Sequence, residues 1–129
     1  MYSEEIEGFL NFLKKSEEDY NTAVSDEKET DLQTQDLLHT MELHEAGYHY
    51  MAKMAKLMRE VRQKRRYAKD TRLKCQRIVD WIEENGRVIK SLERLLGEVR
   101  KIEKNFENRS YLPKTDIVEG CFKKIEKGE

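Results

Sequence analysis

Apolar residues recur along this chain in steps of three and four, the spacing that places them on one face of an α-helix. The pattern predicts three helices, over about residues 3–24, 31–84 and 87–107. Residues 25–31 (SDEKETD) contain no apolar side chain and predict the first connection, with a helix that already starts at Ser25 as the alternative. Asn85-Gly86 predicts the end of the second helix, because glycine adopts the left-handed conformation that terminates helices. Since the same spacing also runs through Asn85, an unbroken helix is the alternative.

The predicted central helix carries the longest seam, whose positions alternate by four and three over more than five heptads as in a coiled coil. The seam positions are Leu43, Gly47, Tyr50, Met54, Leu57, Val61, Lys64, Ala68, Thr71, Cys75, Ile78 and Ile82. A helix this long is unstable alone. We therefore expect residues 87–107 to return over residues 62–84, and residues 3–24 to reach about residue 55.

These elements predict an all-α protein, either an elongated antiparallel helical hairpin or a three-helix, coiled-coil-like bundle with one long central helix. Residues 1–113 are predicted to form a single helical domain. Residues 114–129 follow the only proline, Pro113, and predict a short helix or a flexible tail.

Composition supports long, exposed helices, because 40% of the residues are charged and only 37% are hydrophobic. Intrinsic disorder is the competing interpretation of this composition, but the regular heptads favour helices. The net charge of −1 conceals a division along the chain. Residues 1–31 carry ten acidic and three basic residues, whereas residues 32–77 carry five acidic and eleven basic ones. This polarity predicts an acidic partner for the middle of the chain, or association between copies.

Basic residues concentrate between Arg59 and Arg77, and seven of them share one face of the predicted helix, away from the seam. The predicted partner- or phosphate-binding residues are Arg59, Arg62, Arg65, Arg66, Lys69, Arg72 and Arg77. An acidic protein surface and a nucleic-acid backbone are both candidate ligands. A solvated helix face that binds nothing is the third interpretation, in which the protein is a purely structural coiled coil.

Methionines on adjacent faces of the predicted central helix suit either core filling or an adaptable interface. With only two companion helices, part of this surface is left for a second chain. We therefore expect a homodimer, and the predicted interface comprises Met51, Met54, Leu57, Met58 and Val61.

No catalytic triad, phosphate-binding glycine loop or nucleophile elbow is present in the sequence, so we expect no enzymatic activity and no cofactor. Glu42, His44, Glu45 and His49 lack the Glu-x-x-His pairs of diiron bundles, and no metal site is predicted. The two cysteines, Cys75 and Cys121, predict free thiols. With no signal peptide and no spanning apolar run, we expect a cytoplasmic protein that does not bind membranes.

Three segments resemble a family of small helical proteins from phages and prophages of Gram-positive bacteria. They are MAKMAKLMREVRQKRRYAKD, IVDWIEENGRVIKSLERLLGEVRKIE and NRSYLP, and the resemblance covers about residues 38–113. Its marks are the arginine-rich Arg62–Arg66 element before Lys69-Asp70 and the closing Tyr111-x-Pro113. The resemblance implies a phage-encoded accessory or inhibitory protein that engages a host or phage macromolecule inside the bacterial cell.

Overall fold

The computed structural model describes residues 1–45, 47–110, 112 and 114–117. Three helices, α1 (Tyr2–Leu43), α2 (Tyr48–Glu84) and α3 (Gly86–Glu107), account for nearly all of these residues, and the described part contains no β-strand. The predicted all-α class is confirmed. The chain divides into two compact units, Met1–Leu96 and Gly97–Glu129, and α1 and α2 lie wholly in the first. The short helix or tail predicted for 114–129 falls largely outside the described residues, as does Cys121.

The first helix is nearly twice as long as the sequence pattern predicts. Residues 25–31, the predicted connection, lie inside α1 as regular helix, so that prediction is wrong. The reason is that this segment replaces apolar contacts with polar ones. Thr30 is 4% exposed and donates its hydroxyl hydrogen to the Asp26 carbonyl at 2.8 Å, while Glu27 and Asp31 form ion pairs with α2.

The actual connection lies at residues 44–47, inside the stretch predicted to be the long central helix. His44 closes α1 with extended backbone angles of φ −109° and ψ 127°, and its N–H donates to the Thr40 carbonyl at 3.1 Å. Gly47 then begins α2, also in an extended conformation, and accepts the Met51 N–H at 3.1 Å. Glycine costs about 1 kcal/mol in a helix interior, so Gly47 favours an end of helix over a seam position.

Helices α1 and α2 pack against each other as an antiparallel hairpin, because residue numbers fall along one helix as they rise along the other. Leu13 lines the same groove as Ile78, and Ala23 the same groove as Ala68. Residues 62–84 of α2 therefore lie against α1. Within the first unit, residues 87–96 do not return over them, so that part of the predicted cover is wrong. The buried apolar residues of the hairpin are Leu10, Leu13, Ala23, Met54, Ala68 and Val79.

The inward face of α2 differs from the predicted seam most clearly at Leu57 and Lys64, whereas Thr71 and Ile78 line the grooves to α1 as predicted. Met54, Val61, Ala68 and Ile82 point inward as predicted. Between them, however, Met58, Arg65, Arg72 and Val79 face α1 more closely than Leu57 and Lys64, which are exposed. A shift of one residue rotates a position by about 100° around the helix. It therefore moves two of the predicted binding arginines towards α1.

Helix α2 ends at Glu84, the residue at which the sequence predicts its end. A single non-helical residue, Asn85, separates α2 from α3, with φ −122° and ψ 35°. Its N–H donates to the Trp81 carbonyl at 3.0 Å, and its own carbonyl accepts the Ile89 N–H at 3.1 Å. The Asn85 amide group also donates to the Trp81 carbonyl at 2.9 Å, which satisfies a carbonyl at the helix end.

Candidate functional site

The seven predicted binding cations of α2 fall into two groups in the structure. Arg65 and Arg72 are about one-quarter exposed and bond acidic residues of α1. Arg59, Arg62 and Arg66 are exposed, Lys69 is half-buried, and Arg77 is exposed. Only the second group is open to an external ligand, because the guanidinium groups of the first are engaged within the chain.

The first group forms a compact ion-pair cluster between the two helices. Arg65 Nε lies 2.5 Å from Asp31 Oδ1, and Arg72 Nε lies 2.6 Å from Glu27 Oε2. A second Arg65 nitrogen, Nη2, approaches Glu27 Oε1 at 3.9 Å, so Glu27 lies between two arginines. Glu27 itself is only 17% exposed in its side chain. Charged hydrogen bonds of this length are stronger than neutral ones and fix the relative position of the two helices.

The ion-pair cluster shifts the pKa values of Glu27 and Arg72 in the directions that favour their charged forms. The hydrogen bond from Arg72, together with the positive charges of Arg72 and Arg65, holds the pKa of the Glu27 carboxyl below its usual value. The hydrogen bond to Glu27 likewise raises the pKa of Arg72. Both groups are therefore charged at neutral pH, which is the state in which they join α1 to α2.

These acidic partners were not expected from the sequence, which predicts a first helix over about residues 3–24 that reaches only to about residue 55 of the second. That prediction is wrong, because α1 runs on to Leu43 and brings Glu27 and Asp31 opposite Arg65 and Arg72. A signal for it exists in the sequence. Tyr20, Glu27 and Thr34 are spaced by seven, so the heptad of α1 continues through the polar segment.

The second group of cations makes a short basic surface on the outside of α2, formed by Arg59, Arg62, Arg66 and Lys69. None of these four side chains forms an ion pair with any residue in the described part of the chain. Arg77 differs from them because its guanidinium Nη1 lies 3.8 Å from Glu84 Oε2 on the same helix. The basic surface thus has four positive charges without an ion-pair partner in the described residues along about 15 Å of helix, and Asp70 is the acidic residue nearest to them on this face.

Apolar side chains flank the basic surface on the same face of α2. Met51 and Leu73 are 38% and 54% exposed, and at about 100° per residue they lie in line with Arg62, Arg66 and Lys69. Tyr67, the one aromatic residue within the basic run, lies elsewhere. It lines the groove between α1 and α2 together with Asp26, so it is turned away from the exposed arginines.

The residues predicted to form an oligomer interface also divide between the inside and the outside of the hairpin. Met54 is buried, and Met58 and Val61 are half-buried within the chain itself. Met51 and Leu57 are exposed, at 38% and 47%. A second chain could therefore contact only the latter two without opening the hairpin.

Other chemistry is sparse in the described residues. Those residues contain no group of three His, Cys, Asp or Glu side chains placed to hold a metal ion, and Cys75 is a half-buried free thiol. None of the helices in the described ranges is apolar over a length sufficient to cross a bilayer. Comparison of the sequence and the structure with family models, curated proteins and solved structures finds no match.

Proposed function

We propose that this chain is a non-enzymatic binding protein that uses the basic surface of α2 to engage an acidic protein surface. The observation that carries the proposal is the set of four cations, Arg59, Arg62, Arg66 and Lys69, without ionic partners in the described structure. Four positive charges without an ion-pair partner on one helix face favour association with an anionic partner and accelerate the encounter.

The surroundings of these cations favour a protein over a nucleic acid. Exposed Met51 and Leu73 at the two ends of the basic surface give it apolar contacts, which protein interfaces use and phosphate backbones do not. Arg65 and Arg72 are held by α1, which shortens the run of cations available to successive phosphates. Tyr67 faces the groove, so it is not placed to stack on bases of a strand bound at the arginines.

The resemblance of residues 38–113 to phage and prophage proteins supports an accessory or inhibitory role in a bacterial cytoplasm. In that role the α1–α2 hairpin is the scaffold that holds the basic surface in place. The protein acts as a homodimer, so that each dimer has two basic surfaces. Sequence-independent nucleic-acid binding by the same cations is the alternative that the experiment below separates from this proposal.

The test uses the triple variant Arg62→Glu, Arg66→Glu and Lys69→Glu, which reverses the basic surface. Its matched control reverses three exposed cations of α3, Lys90, Arg94 and Lys101, and so has the same net charge. Each protein is used to capture proteins from a nuclease-treated lysate of a Gram-positive bacterium, and its affinity for a generic DNA duplex is measured over a salt series. Circular dichroism checks that both variants remain helical.

We expect the wild type and the control to retain a specific protein that the triple variant loses, with no measurable affinity for the duplex. Duplex binding by the wild type and the control, weakening steeply with salt and abolished in the triple variant, would establish the nucleic-acid alternative. If the wild type, the control and the triple variant all retained the same proteins, the basic surface would not be the binding site, and the proposal would be wrong.

A further inference from the structure

A second face of the hairpin, separate from the basic surface, runs along the open groove between α1 and α2. On α1 its residues follow a heptad pattern of their own, with steps of four and three. They are Lys15, Asp19, Thr22, Asp26, Glu29, Gln33 and Asp36, and all of them line the groove. We call this side of the hairpin the groove face.

On α2 the groove face carries mostly cations where α1 carries mostly acids, with Glu60 on α2 and Lys15 on α1 as the exceptions. Lys64 and Tyr67 line the groove directly. Lys56 and Lys74 lie on the same side of α2, because Lys56, Gln63, Tyr67, Lys74 and Trp81 are separated by intervals of seven and four. None of the charged groups of Asp19, Asp26, Asp36, Lys56, Lys64 and Lys74 forms an ion pair within the described residues.

One end of the groove face is apolar. Phe9, Phe12, Ile78 and Trp81 line a section of the groove together with Leu13 and Arg77. The rings of Phe9 and Phe12 stack with centroids 6.5 Å apart, yet these side chains remain 45% and 51% exposed. Tyr67, further along the same face, is 76% exposed. Aromatic side chains exposed beside a groove are the kind of residue that anchors protein interfaces.

The two helices of the hairpin are also opposite in charge as a whole. Helix α1 contains twelve acidic and three basic residues, whereas α2 contains eleven basic and five acidic ones. A surface that pairs an acidic helix with a basic helix is complementary to itself after a two-fold rotation, since each helix then meets the opposite kind.

We propose that a second copy of the chain packs on the groove face, with α1 of each copy antiparallel to α2 of the other, to form a four-helix bundle. The two-fold axis then runs parallel to the helices, and each α1 has one α2 from its own chain and one from the second copy as neighbours. The other way of joining two groove faces places α1 on α1, which brings acidic helices together.

The register of the hairpin predicts which charges meet. Pairs that line the same groove, such as Leu13 with Ile78 and Ala23 with Ala68, have residue numbers that add to 91. Rotation about an axis parallel to the helices does not move a residue along that axis. A residue of α1 and a residue of α2 in the second copy therefore lie at the same level when their numbers add to about 91, as they do within one chain. This rule places Asp19 near Lys74, Glu29 near Lys64 and Asp36 near Lys56 of the second copy. The symmetry repeats each pair twice.

Like charges also meet in this arrangement, because Glu29 lies near Glu60 of the second copy as well as near Lys64. A second like-charge pair joins Lys15 and Arg77 of the second copy. Arg77 already lies 3.8 Å from Glu84 Oε2, which offsets part of its charge, and both side chains are long enough to turn towards solvent. At the same end of the groove, Phe9, Phe12 and Trp81 of both copies come together. Their burial supplies the apolar contribution that exposed ion pairs alone do not give.

The experiment reverses each half of the interface separately. The α1 variant carries Asp19→Lys, Glu29→Lys and Asp36→Lys, and the α2 variant carries Lys56→Glu, Lys64→Glu and Lys74→Glu. A control variant carries Glu17→Lys, Glu18→Lys and Glu42→Lys, which are exposed acids of α1 that line no described groove. Masses are measured by sedimentation equilibrium at micromolar concentrations, with circular dichroism as the check of helicity.

We expect the wild type and the control to have twice the monomer mass of 15.5 kDa. Each reversal variant should dissociate with a dimer Kd raised by about 100-fold, because several weak pairs turn repulsive together. An equimolar mixture of the two variants should regain the double mass, since each then offers the charge that the other lacks.

A monomeric wild type at high micromolar concentration would overturn the proposal. A mixture that stays monomeric while both variants remain helical would overturn it equally, and so would an α1 variant that dimerises as tightly as the control. The reversal of Arg62, Arg66 and Lys69 leaves the groove face untouched and is expected to keep the double mass. Loss of the dimer and loss of the acidic partner are therefore separate outcomes.

Discussion

One end of the α1–α2 contact and its middle are built from different chemistry. Near the start of α1, Leu10 and Leu13 are buried, and Leu13 shares a groove with Ile78 and Trp81. Ten residues after Leu13, the polar seam begins. It consists of Ala23, Glu27 and Thr30 on α1 with Arg65, Ala68 and Arg72 on α2. The helix geometry continues unchanged from one region to the other, so regular pairing of helices does not require an apolar seam throughout.

The difference also shows what fixes the position of the helices. Apolar contacts are non-directional and tolerate a small slide of one helix along the other. The Glu27 carboxylate between two guanidinium groups does not, because its hydrogen bonds depend on distance and angle. We infer that the apolar end supplies most of the stabilisation and the polar seam supplies most of the register.

The largest expected effect is at the apolar end, where Leu13→Ala removes a side chain that is 5% exposed. We expect the free energy of unfolding to fall by about 2–3 kcal/mol, from lost burial and the cavity left behind. Urea denaturation at one fixed protein concentration measures it. Leu32→Ala, at a site 61% exposed, is the control and should change the free energy by less than about 0.5 kcal/mol. Equal effects at the two sites would contradict a stabilising apolar end.

A smaller decrease in the free energy of unfolding is expected when a larger side chain replaces an alanine of the polar seam. Ala23 and Ala68 are each 3% exposed and line the same groove, so Ala68→Leu has no room without separating the helices. We expect a loss of about 1–3 kcal/mol in the free energy of unfolding. The same substitution at exposed Ala55 of α2 should have almost no effect. If Ala68→Leu stabilised the hairpin, the close approach of the helices at this layer would be wrong.

The smallest effect is expected from Glu27→Gln, and it should depend on pH. Because the folded state holds the pKa of Glu27 below its unfolded value of about 4.3, the stabilisation is present at neutral pH and is lost as the pH falls through the folded pKa. At about pH 7 the variant should melt several degrees below the wild type, and at about pH 3 the two should converge. Glu18→Gln, at an exposed site, should match the wild type at both. A gap that persists in acid would exclude the ion pair as its cause.

The sequence predicts the all-α class, because the class depends on patterns of apolar residues, and it also predicts the end of α2 at Glu84. The left-handed glycine expected to end α2 is not formed, since Gly86 is the first residue of α3 and the break lies at Asn85. The prediction fails at residues 25–31 for a physical reason. Helical periodicity there is carried by Glu27, Thr30 and Asp31, whose partners lie on another helix and leave no local apolar signal. This error causes a second one, because a first helix that ends at about residue 24 cannot supply the acidic partners of Arg65 and Arg72.

The candidate site was predictable to the same degree. The exposed arginines Arg59, Arg62 and Arg66 follow from the helical wheel alone, because they lie well away from the seam in either register. Arg65 and Arg72 lie close to the seam, where a shift of one residue decides between solvent and α1. Only knowledge of the opposing helix resolves positions of that kind.

The buried hydroxyl groups of α1 bear on how freely this sequence can vary. Ser16, Thr30, Thr34 and Thr40 each donate to a carbonyl four residues earlier in their own helix, at 2.7–2.8 Å. Since these groups require nothing from α2, exchange among serine, threonine and alanine at Ser16 or Thr30 leaves no polar atom stranded. Glu27 does not tolerate such exchange, because its substitution leaves Arg65 and Arg72 without this carboxylate partner. Substitutions in this half of the hairpin are thus tolerated singly at the hydroxyl positions. At the ionic positions, a substitution of Glu27 requires simultaneous substitutions of Arg65 and Arg72.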